Sequence, residues 1–262
     1  MNRIDKKFKD LKREGKAALI IYITAGYPSL AKTKELIPEL EKNGADIIEL
    51  GIPFSDPLAD GPVIQRSSYL ALKSGATLNN IISMVKEVRK KTDIPLVFMT
   101  YYNPVLSFGV ERFVREAKNA GVDGVIIPDL PPEEASILRK ISTKLDFSTI
   151  FLLTPTSTEN RIKIVSKAAS GFIYYVSLAG VTGARAKLPG EIKGKILKIK
   201  KITDKPVCVG FGVSNAVQAR QISRLADGVV VGSAVINAIS KNTKDCVKKT
   251  GIFVRGLKNA VK

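Results

Sequence analysis

Histidine is absent from the 262-residue chain, and cysteine occurs only twice. Without imidazole there is no Ser–His or Cys–His nucleophile and no histidine-held zinc, so any general acid or base must be Asp, Glu, Lys, Tyr or Cys. Cys208 and Cys246 have no CxxC partner, which argues for reduced cytosolic thiols rather than a disulfide or zinc site. Cys208, inside "PVCVGF", reads as core. No run of about eighteen apolar residues occurs, and the opening "MNRIDKKFKDLKREGK" lacks the apolar stretch of a signal peptide. A cytoplasmic protein with no membrane contact is therefore expected. Acidic residues are also scarce, 24 against 42 Lys and Arg, giving a net charge of +18 that raises nucleic acid as a partner. The excess lies on presumed outer helices such as "KDLKREGK", "KGKILKIKK" and "KDCVKKTG", without interleaved aromatics for base stacking. We read it as a solvated surface with mild attraction for anionic substrates and expect no nucleic-acid partner.

Hydrophobic residues at 45% and charged residues at 25% describe an ordinary globular protein. Eight short apolar runs recur, each followed by a segment of helical periodicity: 17–24, 45–50, 95–101, 122–128, 147–153, 171–177, 206–211 and 227–232. Their hydrophobicity is continuous rather than alternating, as parallel strands covered on both faces require. Stretches such as "SLAKTKELIPELEKNG" and "LNNIISMVKEVRKKT" supply the covering helices. Eight such units without a visible linker predict a single α/β domain over 1–262, a (β/α)8 TIM barrel, in preference to a doubly wound sheet. An N-terminal helix with Ile4, Phe8 and Leu11 on one face is expected to cover the bottom of the barrel. Asp46, Asp123 and Asp227 open comparable units in a weak internal repeat.

Glu49 stands near the end of the second run, in phase with Ile47, where barrels of this kind carry their chemistry. A buried carboxylate persists only if paired or functional. An ion pair would be the structural explanation, but no inward Lys or Arg is evident at the other strand ends, so function is the reading preferred here. The following loop, "IPFSDPLADGP", carries Pro53, Pro57 and Pro62 and is longer than a simple turn needs. Asp60 within it is a second carboxylate able to return over the barrel mouth. Glycines at three strand ends, Gly180 and Gly183, Gly210 and Gly212, and Gly232 beside Ser233, point to a phosphate held by backbone N–H groups.

The stretches "ELGIPFSDPLADGPVIQ", "MTYYNPV", "GVIIPDLP", "AGVTGAR" and "GFGVSN" closely resemble the tryptophan synthase α subunit family, and the likeness spans nearly the whole chain. The resemblance implies aldolytic cleavage of indole-3-glycerol phosphate to indole and glyceraldehyde 3-phosphate. It further implies no cofactor or metal in this chain and a pyridoxal-phosphate-bearing β subunit as partner in an α2β2 heterotetramer. By motif it makes Glu49 and Asp60 the catalytic carboxylates and Tyr174 a site tyrosine. Gly183, Gly212, Gly232 and Ser233 then hold the phosphate, Tyr22 and Phe211 line the indole pocket, and Thr182 lies on a mobile loop. A phosphosugar isomerase would share the glycines without an indole-sized pocket. A magnesium site on Glu49, Asp56 and Asp60 is a further alternative, which the resemblance disfavours.

Overall fold

Strands form where β-branched and aromatic residues run together and can be covered on both sides. The structure is a computed structural model that describes residues 1–176, 189–210, 212–241 and 245–261. Its strands are β1 (Ala18–Thr24), β2 (Ile47–Gly51), β3 (Leu96–Met99), β4 (Gly124–Ile126), β5 (Ser148–Leu153), β6 (Ile173–Val176), β7 (Val207–Gly210) and β8 (Gly228–Val231). Each pairs in parallel with the next, and β8 pairs with β1 to close the barrel. All eight predicted runs are strands, though most are trimmed. The run at 122–128 yields three strand residues because Val122 N closes the preceding helix on Ala117 O (2.9 Å) and Leu130 N turns the chain on Ile127 O (3.1 Å).

The helices in chain order are α1 (Arg3–Arg13), α2 (Leu30–Lys42), α3 (Pro62–Lys73), α4 (Leu78–Val88), α5 (Tyr102–Phe108), α6 (Val110–Ala120) and α7 (Ser136–Lys144). They continue with α8 (Glu159–Ala168), α9 (Pro189–Ile202), α10 (Ala216–Ser223), α11 (Ser233–Ser240) and α12 (Cys246–Lys258). Pro62 belongs to the first turn of α3 rather than to the preceding loop, where the sequence reading put it. Proline is favoured there because its missing N–H needs no partner. The loop therefore ends at Gly61.

Alternation along the strands separates two cores. Ile20, Ile47, Val97, Ile126, Ile150, Cys208 and Val230 fill the barrel, and Ile4, Phe8 and Leu11 of α1 join them from below. The Phe8 and Phe172 rings meet with centroids 5.7 Å apart, so α1 plugs the bottom as expected. Their strand neighbours Ile21, Ile48, Phe98 and Val209 face the helices instead.

The repeated aspartates belong to this lower end. Asp46 Oδ2 accepts Leu19 N (2.7 Å), Asp123 Oδ2 accepts Leu96 N (2.9 Å) and Asp227 Oδ2 accepts Val207 N (2.8 Å). Ser170 Oγ takes Thr149 N (2.8 Å) in the same way. Before every even strand, then, a side chain ties down the start of the odd strand beside it. Lys258, Arg89 and Lys200 neutralise the three carboxylates at 2.6, 2.9 and 2.8 Å.

Candidate active site

Strand alternation that puts Ile47 inside also turns Glu49 inward, one layer nearer the C-terminal mouth. Glu49 is 1% exposed, and its Oε2 is enclosed without a hydrogen-bond partner among the described residues. Burial pushes its carboxyl up to about 8, with the charge of Asp60 adding to the effect. The shift favours the protonated acid, and among the described residues the ion pair that a purely structural role would require does not form.

Asp60 sits on the Ile52–Gly61 loop and faces the same cavity. Its backbone is held from both sides: its N–H donates to Pro57 O (3.0 Å) and its C=O accepts from Gln65 Nε2 (2.8 Å). Burial raises its carboxyl to about 6, opposed by the Tyr101 hydroxyl, which favours the ionised form. Two carboxyl groups thus share one cavity with separated proton affinities, the arrangement that divides acid and base roles.

The cavity has a volume of about 970 Å3, and Tyr22, Ile64, Met99, Val230 and Phe253 contribute apolar wall. Tyr22 keeps its hydroxyl on Thr24 Oγ1 (3.3 Å), which is bonded in turn to Ser67 Oγ (2.6 Å). That hydroxyl passes over Gly51, where an added Cβ would lie 2.1 Å from it. Tyr174 crosses Gly210 in the same manner, with its hydroxyl 2.3 Å from where a Cβ would stand. Of the adjacent tyrosines, Tyr174 faces the barrel interior and Tyr175 packs outward. No hydrogen bond joins Tyr174 to Glu49 among the described residues.

Gly212, Gly232 and Ser233 form one side of the cavity. Gly212 has φ +83°, a conformation that glycine adopts without strain. Helix α11 begins at Ser233 with no side-chain cap, whereas Asn215 Oδ1 already occupies Gln218 N at the start of α10 (3.0 Å). The open helix start is therefore the one facing the cavity. Thr182, Gly183 and Phe211, and Gly180 with them, lie outside the described residues. Asp56 is exposed and engaged by Ser55 Oγ, and among the described residues no group of His, Cys, Asp or Glu is placed to hold a metal ion.

Sequence reasoning gave Tyr101 no role, although it contacts the Asp60 loop directly. Its one signal was its place at the C-terminal end of β3, within "MTYYNPV".

Residues 8–262 match the family model described as tryptophan synthase alpha chain. The chain is 51% identical to the tryptophan synthase alpha chain of Geotalea uraniireducens, over 100% of this chain and 98% of that one. It is 48% identical to that of Geobacter sulfurreducens, over 100% and 99%. Among solved structures, the tryptophan synthase subunit alpha of Legionella pneumophila superposes with a TM-score of 0.93 at 39% identity, covering 99% of this chain and 98% of that one. A tryptophan synthase structure from M. tuberculosis in its aminoacrylate-bound form gives 0.90 at 34% identity, each chain covered in full.

Proposed function

The chain belongs to the tryptophan synthase alpha chain family, and on that premise we propose how its own residues carry the family's reaction. The enzyme is a carbon–carbon lyase of tryptophan biosynthesis that cleaves indole-3-glycerol phosphate to indole and glyceraldehyde 3-phosphate. It carries no cofactor of its own, because pyridoxal phosphate belongs to the β subunit with which family members form a complex. We propose an α2β2 assembly and a cytoplasmic location, in keeping with a biosynthetic role.

In the proposed mechanism the phosphate sits against Gly212, Gly232 and Ser233, where the uncapped N–H groups of α11 and the positive end of its dipole favour an anion. Gly183 would add to this cradle, while Tyr22, Phe211 and Thr182 would enclose the indole. Glu49, protonated at neutral pH, gives its proton to indole C3. Asp60, ionised, accepts the indole N–H and stabilises the positive charge that develops on the ring. The Glu49 carboxylate then takes the proton of the glycerol hydroxyl next to C3. The O–H electron pair forms the aldehyde C=O, the C–C bond breaks, and its electrons restore the aromatic ring. Tyr174, which lines the same cavity, would limit where Glu49 can go.

The observation that carries this reading is the enclosed, unpaired Glu49 carboxyl in a cavity shared with Asp60. Incubating the purified chain, alone and with β subunit, with indole-3-glycerol phosphate should release indole and glyceraldehyde 3-phosphate in equal amounts. No indole under either condition would overturn it.

A further inference from the structure

We propose that Tyr101 is a positioning residue that clasps the Ile52–Gly61 loop at both ends and so holds the Asp60 carboxyl in its working place. The proposal rests on the role given to Asp60 above.

The loop has little of its own to fix it. Ser55, Asp56, Leu58 and Ala59 are exposed, Leu58 by 92%, and the internal bonds are local, from Leu58 N to Asp56 O (2.9 Å) and from Asp60 N to Pro57 O (3.0 Å). Tyr101 spans it. Its ring packs on Phe54 near the start, with centroids 5.4 Å apart, and its hydroxyl accepts the N–H of Ala59 (2.9 Å) next to Asp60. A phenol oxygen that accepts one N–H still has its own hydrogen to donate, and that donor favours the Asp60 carboxylate.

Tyr101 is itself 6% exposed and fixed on both sides. Thr100 N donates to Ile126 O of β4 (3.0 Å), and Tyr102 N donates to the Asp129 carboxylate at 2.9 and 3.2 Å. Support thus runs from Asp129 through the Tyr101 backbone to Ala59 and Asp60. This links "GVIIPDLP" and "MTYYNPV", stretches otherwise without a chemical role, to the catalytic loop. Among the described residues, the other side-chain hydrogen bond that ties this loop to its surroundings comes from Gln65 on α3.

Tyr101→Phe keeps the ring on Phe54 and removes only the hydroxyl. Measured with β subunit present, kcat should fall about 10- to 100-fold with KM changed less than about threefold, the signature of an interaction used mainly in the transition state. The acidic limb of kcat/KM should also move upward by half a pH unit or more, because Asp60 loses the donor that favours its ionised form. A merely structural role would not move that limb. A folded Tyr101→Phe enzyme with parental kcat and an unmoved limb overturns the proposal. Should this variant fail to fold, Phe54→Leu and Asp129→Ala decide: at least one must show the same fall in kcat with a shifted limb, and parental profiles in both overturn the clasp. Asp60→Asn run in parallel separates the two readings. If it retains activity, the role of Asp60 fails; if it is inactive while Tyr101→Phe is parental, the clasp alone fails.

Discussion

Glu49 shows how a single position can declare itself in a sequence. A carboxylate closing an apolar run has no cheap structural explanation, and the structure leaves it buried and, among the described residues, unpaired. Two consequences follow from its proton affinity. Cleavage should rise with pH as Asp60 ionises near 6 and fall as Glu49 loses its proton near 8, a bell whose limbs belong to the coupled pair. A flat profile from pH 5 to 9 would contradict the division of roles. Stability should also depend on pH. The folded-state pKa of Glu49 lies above its ordinary value of 4.5, so its favourable contribution is full below that value and is lost as pH rises through about 8. Glu49→Gln should therefore gain stability over the parent between pH 5 and 9, by on the order of a few kcal/mol. Urea midpoints at both pH values check this, and a constant difference would contradict it. Tyr101 was not legible in the same way, because a tyrosine at a strand end carries no intrinsic cost that demands a partner.

At the scale of the element, the eight strands could be read because burial on both faces leaves continuous apolar runs, and α1 could be read from the spacing of Ile4, Phe8 and Leu11. Strand ends could not, since they depend on where neighbouring helices terminate. The meaning of the repeated aspartates was also hidden: Ser170 performs the same task as Asp46, Asp123 and Asp227 with a different side chain. Asp123 is the most constrained, bound by Leu96 N, Arg89 and Arg3 while 1% exposed. Asp123→Ala should cost about 3–5 kcal/mol, because it leaves the mostly buried Arg89 cation unpaired. Cleavage kinetics of the folded fraction should stay parental, since the clamp lies at the opposite end of the barrel from Glu49. A loss of kcat without a loss of stability would show that this end reaches the chemistry.

For the molecule as a whole, the barrel divides the labour: its N-terminal end holds the register and its C-terminal end holds the site. Exposed Leu58, beside half-buried Pro57, leaves the Asp60 loop open to a docking β subunit. Adding β subunit should accordingly raise the cleavage rate, and substrate should tighten the complex in return. A rate unchanged at saturating β subunit would remove that coupling while leaving the lyase chemistry intact. The mobile loop expected to carry Thr182 lies outside the described residues. In the proposed mechanism a protonated Glu49 drives the cleavage. Its most direct test is indole release from indole-3-glycerol phosphate by the Glu49→Gln enzyme beside the parent at pH 7, both with β subunit. A loss of roughly 10²-fold or more is expected, the usual worth of a positioned general acid. Activity within about tenfold of the parent would contradict it.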